Sequence, residues 1–270
     1  MLNQVFNFGH WVCKDLEFSN ASVSDLNKYL VFYKFLYLST LQNISREHLL
    51  DFQSVLSGID GFFEVGIQKD AHEAFLKLLD IFDIGISAFL PNYSGVTDVY
   101  FQGVYKIVKT CTNCSNTSLK CEPFFQIAIN PTGNTKSAIV DTFKDNSSEN
   151  HCVHCGLECK HIFSCTIYDH PRVLFVSVNR YTLSSSYARA RKDCRKIRMD
   201  EVMELYGQRY RLGGIITHLG ASVDSGHYTA CVERNGALYT CSDSVVQKTK
   251  SFPSQSFDVY LLFYIKESGS

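Results

Sequence analysis

An α+β fold with two lobes is predicted by three features of this 270-residue sequence. Apolar residues recur at helical spacing through roughly the first hundred positions. Runs rich in β-branched and aromatic residues, bounded by Gly, Asn, Ser and Pro, fill the rest. Two Cys-x-x-Cys pairs fall inside that strand-rich part. Helices first and strands afterwards, rather than in alternation, is the pattern of segregated α+β architecture.

In the first part, Ser22-Val23-Ser24-Asp25 reads as a capping box ahead of Leu26, Leu30 and Val31. Ser45 caps a second predicted helix through Leu49, Leu50 and Phe52. From Gln68 onward, Ala71, Phe75, Leu78, Leu79 and Phe82 predict a third. These apolar positions are core residues and carry no chemistry. Strands are predicted at 103–109, 123–129, 162–168, 172–181, 210–218, 226–233 and 258–265. Segment 182–200, with Ser184-Ser185-Ser186 followed by Arg189, Arg191, Lys192, Arg195, Lys196 and Arg198, reads as a solvated loop. A nucleic-acid patch is the weaker reading, because basicity is not repeated in bulk elsewhere. Ser268-Gly269-Ser270 reads as a flexible tail.

Charge is nearly balanced, 26 basic against 27 acidic residues, so no global field draws the chain to nucleic acid or an anionic membrane. The most apolar stretch, Tyr29 to Leu38, is too short to span a bilayer and is interrupted by Lys34. Eleven cysteines behind an N-terminus with no basic and cleavable leader pattern point to metal ligation or catalysis rather than disulfides. A cytoplasmic or nuclear protein is expected.

Cys111-Thr112-Asn113-Cys114 and Cys152-Val153-His154-Cys155 are separated by 37 residues. A thiolate pair at this spacing grips one face of a tetrahedral ion from a tight turn, and two such turns close a structural zinc site. His151, His154 and Cys159 are substitute ligands, but the four-cysteine set is simplest. A closed set leaves no open coordination position, so the metal is expected to be structural.

Gly226-His227-Tyr228 follows the short flexible run Gly220 to Ser225. That places a histidine at the head of a strand, beside a glycine that admits close backbone approach. Fourteen residues separate His227 from Ser242, the length of a hairpin, so either Ser242 or Asp243 can reach the imidazole and fix its orientation.

At this point the sequence resembles the ubiquitin-specific protease family of papain-like cysteine deubiquitinases. The matching stretches, in family order, are Gln68 to Leu76, the two cysteine pairs, Pro171 to Tyr181, Tyr210-Arg211-Leu212, His218-Leu219-Gly220, Gly226-His227-Tyr228 and Tyr260 to Tyr264. The resemblance implies one catalytic domain over 1–270: a helical thumb at 1–95, zinc-pinned β fingers at 100–170, a β palm at 171–267 and a tail at 268–270. It implies thiol-dependent cleavage of ubiquitin isopeptide bonds by a monomer. Ubiquitin's globule would lie in the fingers and its tail would thread past Gln68, Asp70, Gly226 and Tyr228. His227 would be the base. The aligned orienting position is Ser242, with Asp243 next, where the family usually has Asn or Asp. A neutral serine orients imidazole but stabilises imidazolium less, which implies a slower or more selective catalyst.

The family's nucleophile sits in a box reading roughly Asn-x-Cys-aromatic-x-Asn-x-x-x-Gln. Met1 to Asn7 resembles the part after its cysteine, with Asn7 in place of Gln, so the nucleophile is expected immediately before Met1. Cys13 lies about 20 Å too far along a continuous helix to replace it. Two readings follow: a piece of an active hydrolase, or a silent relative that binds ubiquitin without cutting. Retention of Gly226-His227-Tyr228 favours the first. A protease of a ubiquitin-like modifier is a third.

Overall fold

The computed structural model describes residues 46–89, 92, 94–182, 191–221, 225–243 and 245–267. The helix expected from Ser22, the stretch Met1 to Asn7 and Cys13 lie outside these residues. The chain divides into two compact units, Met1–Val99 and Tyr100–Ser270.

In the first unit, α1 spans Arg46–Ile59 and α2 spans Ala71–Phe89. Asp70 starts α2: its Oδ1 accepts from the backbone N–H groups of His72 and Glu73 at 2.9 and 3.0 Å. Two of the four amides that a helix start leaves open are thereby satisfied, by an anion that the helix dipole favours. Of the residues expected to face inward, Leu79 and Phe82 are buried and Ala71, Phe75 and Leu78 are partly buried; Ile81 and Ile86 are buried beside them. No helix among the described residues is long and apolar enough to cross a membrane.

The second unit is built mainly from strands. In chain order these are β1 Gly103–Cys111, β2 Thr117–Phe124, β3 Ile127–Ile129, β4 Asn146–His151 and β5 Glu158–Asp169. There follow β6 Val173–Val178, β7 Tyr181–Thr182, β8 Arg191–Lys192, β9 Ile197–Arg198 and β10 Val202–Leu205. The last six are β11 Gln208–Leu219, β12 His227–Arg234, β13 Ala237–Ser242, β14 Val245–Thr249, β15 Gln255–Ser256 and β16 Val259–Lys266. A four-stranded sheet runs β2-β1-β5-β4, and an eight-stranded one runs β14-β13-β12-β11-β16-β6-β3 with β10 beside β11. In the larger sheet β3 and β6 pair in parallel and the other named pairs are antiparallel.

β6 is buried at every position, which is why its sequence is a continuous apolar run rather than an alternating one. Around it, Ile129, Ile139, Ile197, Leu212, Leu262 and Tyr264 form the core. Helix α3, Thr135–Thr142, contributes Ala138 and Ile139, and begins at a capping box between Asn134 and Ser137.

Two expectations are corrected here. The predicted strand at 123–129 is the end of β2 and all of β3, with a bend where the chain passes from one sheet to the other. Within residues 100–170, β3 pairs with β6, and β3 and α3 bury Ile127, Ile129, Ala138 and Ile139 in the core of the large sheet. Segment 182–200 is not simply a solvated loop. Its residues 183–190 lie outside the described ones, but Lys192 is buried in β8 and Ile197 is buried in β9. Arg195, for its part, is ion-paired to Asp193 on the surface.

A pH dependence follows from His170, which links β5 to β6 half-buried. Burial, with the Lys266 ammonium second, holds its pKa below the ordinary value. The unfolded chain then takes up this proton at about pH 6.5, before the native state does, so stability falls as pH drops through that window. The melting temperature should decline from pH 7 toward 5, and His170→Gln should flatten the decline. An unchanged slope in the variant would remove His170 as its source.

Candidate active site and metal centre

The turns β1–β2 and β4–β5 carry the two cysteine pairs, and their backbones are copies at an offset of 41 residues. In the first, the Ser115 N–H donates to the Cys111 carbonyl at 2.9 Å and the Cys111 N–H to the Asn116 carbonyl at 2.9 Å. In the second, the Gly156 N–H donates to the Cys152 carbonyl at 2.8 Å and the Cys152 N–H to the Leu157 carbonyl at 2.9 Å. Ser115 and Gly156 take the same left-handed conformation, φ 58° and 72°.

The sulfurs of Cys111, Cys114, Cys152 and Cys155 all lie within 4.8 Å of one another. Bonds of about 2.3 Å to a tetrahedral zinc separate the sulfurs by about 3.8 Å. The Cys114 and Cys152 sulfurs are 3.8 Å apart. The four residues therefore fit zinc. Backbone N–H groups of Cys155 and His154 pull the Cys152 thiol down to about 5, favouring the thiolate that a metal needs. Cys159 goes the other way, pushed up to about 12 by its hydrogen bond with Cys111 and by burial. The described cysteines form no disulfide.

His227 opens β12. Its Nε2 lies 2.7 Å from Ser242 Oγ. That meeting is set by the turn at Asn235-Gly236, where both residues have positive φ, 51° and 73°. This is the two-residue type I′ hairpin that Asn-Gly favours. It pairs Arg234 with Ala237 and Ala230 with Cys241, so the ladder brings Ser242 back to the head of β12. Asp243 lies past the end of β13, exposed, with φ 48°. Of the two expected orienting residues, the structure brings Ser242 and not Asp243 to the imidazole. A hydroxyl both donates and accepts, so Ser242 suits either tautomer.

Gly226 has a steric reason to be glycine: a Cβ there would collide with His218 Nε2. His218 is itself buried, and its Nδ1 meets the Tyr181 hydroxyl. Tyr228 packs on the His218 ring at 4.6 Å between centroids. Lys192 Nζ donates to the carbonyls of His218 and Gly220 at 2.7 and 2.9 Å and to Asp258 Oδ1 at 2.6 Å. Lys192 thus holds the end of β11 and Gly220, which lies against Gly226. Gln68 and Asp70 belong to the first unit, Gln68 exposed and Asp70 capping α2.

Sequence reasoning missed the anchoring lysine and the buried His161 of β5, which stands opposite Cys111. Lys192 was hidden among five other basic residues. His161 had a weak signal, lying two residues after Cys159 on the strand that follows the second pair.

Comparison with known proteins gives one family model, described as ubiquitin carboxyl-terminal hydrolase, over residues 13–264. Mouse ubiquitin carboxyl-terminal hydrolase 17-like protein B is 25% identical over 250 residues, 84% of this chain and 52% of the relative. Ubiquitin carboxyl-terminal hydrolase 23 of Arabidopsis thaliana is 25% identical over 227 residues, covering 74% and 26%. The chain thus spans about half, or less, of these relatives' length. Among solved structures, the SAGA Ubp8/Sgf11/Sus1/Sgf73 DUB module bound to ubiquitin aldehyde gives a TM-score of 0.84 at 18% identity, over 100% of this chain and 67% of that one. A variant of the same module bound to monoubiquitin gives 0.78 at 20% identity, over 90% and 59%. The fold is therefore the papain-like α+β fold of ubiquitin-specific proteases.

Proposed function

Because the chain belongs to the ubiquitin carboxyl-terminal hydrolase family, we propose that it forms the catalytic region of a thiol-dependent deubiquitinase. The observation that carries the reading is the His227–Ser242 contact at 2.7 Å beside the glycine segment. His227 takes the thiol's proton through Nδ1 while Ser242 holds Nε2, and the same imidazole later returns a proton to the leaving amine. Gly226 keeps the backbone low beside His227, where an extended glycine-rich tail would pass. Tyr228 is a further tail contact on the same unit; Gln68 and Asp70, on the first unit, are tail contacts that the family resemblance implies.

Cys111, Cys114, Cys152 and Cys155 hold a structural zinc, supported by their sulfur spacing and the matching turns. The metal would rigidify the four-stranded sheet as a surface for the ubiquitin globule. The described cysteines, none of them in a disulfide, support a reducing compartment, cytoplasm or nucleus.

The test uses ubiquitin bearing a C-terminal electrophile. A form of the protein with the Asn-x-Cys motif placed ahead of Met1 should become covalently modified, and His227→Ala should abolish this. Ser242→Ala should slow it roughly tenfold, about 1.4 kcal/mol, the worth of one hydrogen bond. Ser242→Asp should retain activity. The chain of residues 1–270 should bind ubiquitin. Binding by the extended form without adduct would leave a reversible ubiquitin receptor, and no binding by either form would refute both readings.

A further inference from the structure

The fingertip offers more metal donors than one tetrahedral ion uses. Cys159 Sγ lies 3.3 Å from Cys111 Sγ. Cys111, Cys159 and His161 form a second donor group whose ligand atoms all lie within 4.8 Å of one another, and it shares Cys111 with the four-cysteine group. His161 is 3% exposed, and its Nδ1 lies 3.0 Å from the Cys159 carbonyl oxygen. A carbonyl only accepts, so Nδ1 carries the hydrogen and the neutral ring's lone pair is on Nε2. A backbone carbonyl holding one ring nitrogen is how metal-binding histidines are usually oriented. The His161 ring also hydrogen-bonds the Cys152 thiol, which sets it directly against the four-cysteine group.

We propose that Cys159 and His161 bind a second zinc ion, joined to the first through a bridging Cys111 thiolate. The first ion takes Cys111, Cys114, Cys152 and Cys155. The second takes Cys111, Cys159 and His161, with a water in its fourth position, and is therefore the weaker. Cys159 releases its thiol proton to solvent on binding, as metal-binding cysteines do. Two divalent ions against five thiolates leave one negative charge, whereas one ion against four leaves two. The second ion thus relieves repulsion among crowded sulfurs instead of adding to it.

This inference presupposes zinc at the four-cysteine group, and a count of metal separates the two. The full chain is saturated with zinc sulfate, freed of excess by gel filtration and measured by atomic emission. Two ions per chain are expected, falling to one in Cys159→Ser and in His161→Gln. No bound zinc would defeat the four-cysteine reading itself. One ion in the wild type, or two retained in both variants, would overturn the second site alone. Cadmium-loaded wild type should show two metal resonances coupled through the shared sulfur. That spectrum decides the matter even if a variant fails to fold, and a single resonance overturns the proposal.

Discussion

Cys152→Ser, or exhaustive chelation, is expected to melt the cysteine end of the four-stranded sheet while the eight-stranded sheet stays folded. The reason is the composition of the smaller sheet. β2 and β4, Thr117–Phe124 and Asn146–His151, are exposed at nearly every position, so little apolar surface closes their ladders. At the tip the buried residues are Cys111, Cys152 and His161, polar or ligating rather than aliphatic. In the proposed function zinc would stand in for a core there, with a binding free energy on the order of 10 kcal/mol. The larger sheet has its own core around β6 and does not depend on the metal. Hydrogen exchange should show β1 and β5 losing protection at their cysteine ends while β6, β11 and β16 keep theirs. Unchanged protection in β1 and β5 after verified metal removal would defeat the expectation. In the proposed function, ubiquitin affinity falls with the sheet.

Lys192→Met should destabilise the second unit by about 3 kcal/mol, the low end for removing one partner of a buried pair. The lysine side chain is only 5% exposed and that of Asp258 17%. The change strands the carboxylate together with the carbonyls of His218 and Gly220. Denaturant titration measures the loss, with an unchanged m-value showing that stability and not compactness has moved. Lys192→Met combined with Asp258→Leu should recover part of it, since the stranded charge is gone but the two carbonyls remain unpaired. A single variant as stable as wild type would refute the buried-anchor account. By contrast, Arg195 paired with Asp193 on the surface should be nearly dispensable. Because Lys192 holds Gly220, which lies against Gly226 beside His227, its loss should also slow modification by the ubiquitin electrophile more than thermal stability alone explains. Comparing variants well below their melting temperatures separates the two effects.

Local pattern determined a definite part of this protein. Helical spacing from Gln68 predicted α2, and dense apolar or alternating runs located most of β1, β5, β6, β11, β12 and β16. Paired Cys-x-x-Cys spacing marked the four cysteines whose sulfurs the fold gathers, since a tight turn with two thiols is a local device. His227 was visible from its glycine neighbour and from the hairpin length that follows it. Tertiary structure decided the rest. β2 and β4 carry no apolar alternation and exist because β1 and β5 offer them ladder partners. Ser242 rather than Asp243 meets the imidazole because the turn at Asn235-Gly236 sets the register, and a shift of one residue would turn every side chain of β13 to the other face. Lys192 is buried rather than solvated because Asp258, 66 residues later, and two carbonyls of β11 and its following segment come to meet it. Periodicity records which face of an element is apolar; a buried charge depends on partners far away in the chain, and those exist only once the sheet is assembled.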